Sequence, residues 1–430
     1  MAPEKEGYRL DTRLIHGKHR SEKWDYGHHV IPPITASTAF RLDSASRGLQ
    51  GFVDFADPKE AARALNPIYI YDRLDEPTVG MLEDLMREAE GGESACAFAC
   101  GMAAIAAALM VTGKQGSNIV AHRTMYGCTF SLMSNWLPRF GVTTRLVGAG
   151  DLDELVAAID DHTRSVYLES PANPTLECID IAAVKAALAP INARRGPKDQ
   201  VMLIVDNTFS TPWTQRPIQL GADIVVESLT KAVGGFGVDM GGVVVGPQRL
   251  HKAFRGYRKD FGGVLPPANA WNFMVYGLSS LSLRLARQQE NAIRVAQVLE
   301  AHPAVARVLY PGLESFPWKE IAKRQMVDPE GRFCPGSMIY FEMAGNLDEA
   351  RDRCARVIDH IAAEAYSITL AVSLGMTKTL IEAPGLMTHC ALDPNAQSAA
   401  GIHPGGIRLS LGIENVDDLL KDLEAGLAVA

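Results

Sequence analysis

Asp206 and Lys231, 25 positions apart, each follow a short apolar run. Val201-Met-Leu-Ile-Val205 leads into Asp206-Asn207-Thr208, and Ile224-Val-Val226 leads into Glu227-Ser228-Leu229-Thr230-Lys231, with Gly234, Gly235 and Gly237 soon after. A lysine at the end of a buried strand is partly desolvated, which lowers its pKa toward neutrality and makes its amine nucleophilic. An aspartate nearby can hold a protonated ring nitrogen. Ser228 and Thr230 offer hydroxyls at alternate positions to a phosphate, and the glycines let the backbone turn closely. A reactive lysine, a carboxylate for a pyridinium and donors for a phosphate are together what pyridoxal 5'-phosphate (PLP) requires. Spacing by itself also allows a plainer arrangement, with Asp206 capping a turn and Lys231 solvated.

The elements that must position these residues are short apolar runs alternating with helical patterns. Strands are expected at 94–99, 118–121, 144–147, 165–169, 202–206, 223–227 and 242–245, with helices at 101–110, 151–159 and 181–188 between them. Asp151 and Asp180 are suitable N-caps for the last two. Such runs need a mostly parallel sheet covered on both faces, with functional residues in the loops after the strands. Before residue 70 the chain reads as irregular, broken by Pro32, Pro33, Pro58 and Pro67. After about 265 it reads as helix-rich, with long helices at 268–285 and 286–300, a strand at 337–341, a helix at 347–361 and a terminal helix near 417–427. The expected division is an N-terminal segment (1–69), a cofactor-binding domain (70–265) and a smaller α+β domain (266–430).

Composition narrows the partners. The 430 residues are 47% hydrophobic with a formal net charge of −8, enough for a sizeable core and unlike a disordered or collagen-like chain. No concentrated basic run is present for a phosphate backbone, so no nucleic-acid partner is expected. Seven dispersed cysteines without zinc-ligand spacing suggest reduced thiols in a cytoplasmic protein. The first thirty residues hold no apolar stretch of the secretory type, and the uncharged run 95–111 is too short and alanine-rich for a membrane span. His28, His29 and His122 lack partners at metal-ligand spacing, so no metal is expected, and Cys96 and Cys100 suit a buried strand and helix start. Neither a Gly-x-Gly-x-x-Gly turn nor a Walker lysine motif supports a plain nucleotide-binding protein.

Tyr71-Asp72-Arg73, Gly101-Met102, Tyr126-Gly-Cys-Thr-Phe130, Glu169-Ser-Pro-Ala-Asn-Pro174, Val205-Asp-Asn-Thr208, Ser228-Leu-Thr-Lys231, Ala371-Val-Ser-Leu-Gly375 and Gly406-Ile-Arg-Leu-Ser410 occur in this order. From about residue 68 onward the chain thereby resembles the PLP-dependent enzymes of cysteine and methionine metabolism. The resemblance implies fold type I, a mostly parallel seven-stranded α/β sheet with a smaller C-terminal α+β domain. It implies Lys231 as the lysine that bonds PLP, Asp206 as partner of the ring nitrogen and Tyr126 as the aromatic stacked on the ring and able to move a proton. Gly101, Met102, Ser228 and Thr230 would hold the phosphate, the first two through N–H groups at a helix start. Thr208 would stand beside Asp206, and Asn173 near the cofactor's phenolic oxygen. Arg408 would grip the substrate α-carboxylate with Ser373 facing it. Tyr71 and Arg73 would reach a neighbouring subunit's phosphate, which implies at least a dimer and a tetramer built from dimers sharing sites.

Cys128 and the Lys259-Asp260 pair resemble the methionine γ-lyase branch. A phenolate at Tyr126 needs nearby positive charge, which Lys259 and Arg73 are expected to supply, and Cys128 is a soft neighbour for a thioether. The expected reaction is γ-elimination on a sulfur amino acid, methionine giving 2-oxobutanoate, methanethiol and ammonia. Cystathionine γ-elimination and γ-replacement on O-acetylhomoserine are the alternatives. Phe236 in place of a usual histidine, Asp72 in place of a common serine, and a long 41–65 stretch depart from the family pattern.

Overall fold

The computed structural model describes residues 7–16, 20–21, 24–25, 30–56, 68–388 and 394–430. His28, His29, Pro58, Pro67, Cys390 and the 57–65 part of the long stretch lie outside the described residues. The central sheet has seven strands: β1 (Ser94–Phe98), β2 (Asn118–His122), β3 (Thr143–Val147), β4 (Thr163–Glu169), β5 (Met202–Asp206), β6 (Ile224–Glu227) and β7 (Gly242–Gly246). They lie in the order β1-β7-β6-β5-β4-β2-β3, with β7 alone running against the others. Their ends depart from the sequence expectation by a residue or two.

Alternation along each strand divides the core. In β1, Cys96 and Phe98 pack with α2 (Gly101–Thr112), while Ala95 and Ala97 face α1 (Pro77–Glu90). In β5, Leu203 and Val205 join α3 (Ile181–Asn192) on one face, and Met202 and Ile204 join the α2 layer on the other. Both faces are covered around β5 and β6, which are apolar until their last residues, and Glu169, Asp206 and Glu227 emerge from β4, β5 and β6 at one edge. The turn into α2 lies close beneath β7: a Cβ on Gly242 would sit 2.3 Å from the Cys100 carbonyl oxygen.

Two expectations about helices are corrected. Residues 267–301 form one continuous helical rod, not two helices parted at 285, because no glycine or proline interrupts Leu281, Leu285, Ala292, Val295 and Leu299. It carries a π-helical segment at Phe273–Leu278, where Gly277 passes so near that a Cβ would meet the Val233 carbonyl oxygen at 2.5 Å. Its final stretch is α4 (Ser279–Ala301), which leaves the core of the large sheet and enters that of a second one. The chain before 70 also contains a helix at Ala45–Ala56; it contains no proline. Two glycines are within it, Gly51 fitting tightly against Ile68 and Ile70.

The smaller α+β unit holds a five-stranded sheet of β8 (Val305–Leu309), β9 (Met338–Met343), β10 (Ile368–Leu370), β11 (Thr379–Glu382) and β12 (Gly406–Ser410), ordered β8-β9-β12-β11-β10. Helices α5 (Leu347–Glu364) and α6 (Val416–Leu427) cover it around Phe341, Ile361, Ile407 and Leu423. Its register sets Glu382 of β11 directly opposite Arg408 of β12.

Candidate active site

The two units meet at a cavity of about 240 Å³ beyond the C-terminal edge of the central sheet. Lys231 reaches it from the loop after β6 and donates from Nζ to Ser373 Oγ at 2.8 Å. Burial lowers the lysine pKa, and the Arg408 guanidinium pushes the same way. Ser373 sits at φ 102°, left-handed space that a serine occupies only when its surroundings hold it. Here its hydroxyl accepts from Lys231 and its carbonyl from Arg408 Nη2 at 3.0 Å. Arg408 Nη1 donates to Asn173 Oδ1 at 2.9 Å and lies 3.0 Å from Glu382 Oε1. The buried fork is thus fixed from three sides.

Across the cavity floor, Asp206 and Glu169 are register partners on adjacent strands. Asp206 accepts the Thr208 N–H at 3.0 Å and the Tyr167 hydroxyl at 3.1 Å, and forms no salt bridge among the described residues. Burial raises its pKa. Burial and the neighbouring Asp206 raise Glu169 to about 8, although it accepts the N–H groups of Tyr126 (2.8 Å) and Asn173 (3.2 Å). Burial also raises the Tyr126 phenol, and the hydrogen-bonded Cys128 thiol, Glu169 and Glu382 act in the same direction. The phenol therefore keeps its proton in the free protein.

One end of the cavity is the start of α2. Its N-cap, Cys100, makes no side-chain capping bond, so the Gly101 and Met102 end of the helix is free for an anion. Gly101 is needed here: a Cβ would come within 2.7 Å of Ser228 Cβ. The Ser228 N–H is fixed by Thr208 Oγ1 at 2.9 Å, and the Thr230 hydroxyl is tied to Gly241 by two hydrogen bonds.

These groups fit PLP. A buried carboxylate without a cation suits a pyridinium, the uncapped helix start and adjacent hydroxyls suit a phosphate, and a desolvated amine suits an aldehyde. The family model described as Cys/Met metabolism PLP-dependent enzyme matches residues 11–428. The chain belongs to this family.

It is 40% identical over 426 residues to an L-methionine gamma-lyase of Fusobacterium nucleatum subsp. polymorphum, covering 99% of each chain. It is 36% identical to an O-succinylhomoserine sulfhydrylase of Pseudomonas aeruginosa, over 98% of this chain and 96% of that one. A solved cystathionine gamma-lyase from Lactobacillus plantarum, complexed with L-serine, superposes with a TM-score of 0.84 at 33% identity, covering 98% of this chain and 99% of that one. The protein is a PLP-dependent enzyme of fold type I.

The cavity brings together Lys231, Asp206, Tyr126, Thr208, Ser228 and Thr230, together with Gly101, Met102, Asn173, Ser373 and Arg408. Tyr71, Arg73, Cys128, Lys259 and Asp260 do not line it. Cys128 is exposed, two residues after Tyr126, and acts on its phenol. The other four form a separate group: the Arg73 guanidinium lies 5.4 Å from the Tyr71 ring centre and donates to the Lys259 carbonyl, and Lys259 pairs with Asp260. Within one chain, Lys259 and Arg73 lie outside this cavity, whereas Arg408 lines it and its charge is felt by Tyr126. Sequence reasoning missed the roles of Glu169, Tyr167 and Glu382, and the cavity walls Phe209, Met240 and Thr388. Glu169 had a signal, an acid ending an apolar strand; Glu382 had none, because only the β11–β12 register sets it against Arg408. Phe236 stands away from the cavity, 5.5 Å from the Arg284 guanidinium. His122 is an ordinary buried histidine whose Nδ1 accepts the Ala149 N–H at 3.0 Å.

Proposed function

We propose that this enzyme is a γ-lyase of sulfur amino acids, with L-methionine as its substrate. The observation that carries the reading is a protonated Tyr126 phenol, with Cys128 close enough to act on it, in the same cavity as a desolvated Lys231 and a fixed Arg408. PLP, when bound, supplies an electrophilic carbon for the substrate amine and a ring that withdraws electrons from Cα. Asp206 would keep the ring nitrogen protonated, and Gly101, Met102, Ser228 and Thr230 would hold the phosphate. Arg408 orients the substrate through its α-carboxylate. Lys231 Nζ moves protons at Cα and Cβ, with Ser373 Oγ holding the amine ready. Tyr126 gives its proton to the departing sulfur, while Cys128 places a polarizable atom beside the thioether. With one water taken up in the release of ammonia, the products are 2-oxobutanoate, methanethiol and ammonia.

The position of Tyr71 and Arg73 outside their own cavity favours a shared-site dimer, and a tetramer of such dimers. The six described cysteines are all free, which suits a cytoplasmic protein, and among the described residues no helix is long and apolar enough to cross a membrane. Similarity to a sulfhydrylase supports γ-replacement as the second reading. The deciding experiment supplies methionine, cystathionine, or O-acetylhomoserine plus a thiol, and records keto acid and new amino acid. Keto acid and methanethiol from methionine are expected. Product in the last mixture alone would replace elimination with γ-replacement.

A further inference from the structure

Arg408 is not a free fork. Its Nη1 carries both the Asn173 and Glu382 contacts, and its Nη2 binds the Ser373 carbonyl. Of these partners only Glu382 is an acid, and it is 1% exposed. Its Oε1 also accepts the Thr388 hydroxyl at 3.1 Å, while Oε2 has no hydrogen-bond partner among the described residues. A substrate α-carboxylate would be a second anion on a guanidinium already balanced by a buried one. Two carboxylates against one cation in a dry site do not both stay ionised.

We propose that Glu382 is a positioning residue that tunes carboxylate recognition: it occupies Arg408 in the free protein and yields the guanidinium to a substrate carboxylate by taking up one proton from solvent. The inference rests on Arg408 as the carboxylate site. The groups facing Glu382 are Arg408 from β12, Thr388 beyond β11, Lys231 from the loop after β6 and Tyr126 from the segment after β2. Lys231 and Arg408 favour its ionised form; burial opposes it and is the larger effect. Once protonated, Glu382 can still accept the Thr388 hydroxyl through its carbonyl oxygen, so the proton has a place and only the Arg408 contact is released.

The test compares L-norleucine, a methionine isostere without a γ leaving group, with pentylamine, the same molecule lacking its carboxylate. Equilibrium binding to the PLP-loaded enzyme is measured from about pH 6 to about pH 9, and the ratio of the two dissociation constants isolates the carboxylate. In the wild type this ratio turns against norleucine by up to about tenfold per pH unit above the Glu382 titration. In Glu382→Gln, which keeps the shape and has no charge, the ratio is flat and norleucine binds about tenfold tighter than in wild type at the alkaline end. The same pH dependence in both proteins overturns the proposal. Should that variant fail to fold, calorimetry on the wild type in buffers of different ionisation enthalpy serves instead. More protons are then taken up with norleucine than with pentylamine within that same pH range, and equal uptake throughout it overturns the proposal. Arg408→Lys separates the underlying reading: if it leaves the norleucine-to-pentylamine ratio unchanged, Arg408 is not the carboxylate site, whatever the Glu382 result. None of these measurements depends on which sulfur amino acid is the substrate.

Discussion

Asp206 shows how a single side chain is prepared by its neighbours. Its carboxylate accepts from Thr208 and Tyr167 but meets no cation, so burial raises its pKa and leaves it in want of a positive partner. A protonated ring nitrogen would provide one, each group then holding the other in its charged form. Asp206→Asn keeps the size and removes that coupling, so kcat should fall about 100-fold, or ~2.7 kcal/mol, with KM changing much less. An unchanged kcat would mean that the ring does not depend on this carboxylate. Asp206, Lys231 and Arg408 were legible as residues because each lies at the end or middle of an apolar run, where a charge has little reason to be except chemistry. Glu169 was half legible, present in a quoted motif without a role. Glu382 and Tyr167 were not, since their significance is a contact across strands that no local spacing encodes.

At the scale of elements, seven strand positions could be read because each is a run of apolar residues bounded by a polar turn. What local pattern could not supply was strand order, the continuity of 267–301, or the packing that makes a glycine obligatory. Gly101 illustrates the last point. Gly101→Ala forces α2 away from Ser228, and because the proposed phosphate site is made by those two elements together, PLP affinity should weaken about tenfold, ~1.4 kcal/mol. Inorganic phosphate protection of the apoenzyme against heat should decline with it, and full retention of both would show that α2 has room to move. Behind the same strand ends, Glu90 of α1 and Glu227 of β6 are buried against each other, and the Asn207 amide donates to Glu90 at 2.8 Å and to Glu227 at 3.2 Å. Burial raises both acids above their ordinary value of 4.5, so the fold retains a proton that the unfolded chain gives up. Stability from this pair is complete below that value and declines as pH rises toward the folded-state titration. Glu227→Gln removes one titrating group, so its unfolding free energy should gain on the wild type by up to about 1.4 kcal/mol per pH unit as pH rises from the ordinary value of 4.5 toward the wild type's folded-state titration. A pH-independent difference would show that no proton is shared.

The whole molecule raises a question that one chain does not answer alone: Tyr71 and Arg73 carry the right chemistry for a phosphate yet lie outside their own cavity. Tyr71 is 42% exposed with Arg73 packed over it, close to the Lys259-Asp260 pair. If this group completes a neighbouring copy's site, two defects in different chains should compensate. Lys231→Ala abolishes the amine of its own site but leaves Arg73 intact for its neighbour. Arg73→Ala retains the amine but deprives the neighbour of its phosphate contact. Each variant alone should be nearly inactive at a PLP concentration that saturates only the wild type. When the two are denatured and refolded together in equal amounts, half of randomly paired dimers are hybrids, each with one undamaged site, so activity should rise to about a quarter of wild type. The gain should depend on mixing before assembly and be absent when folded variants are combined briefly. Activity no greater than the mean of the two parents after co-refolding would place Arg73 in the service of its own chain.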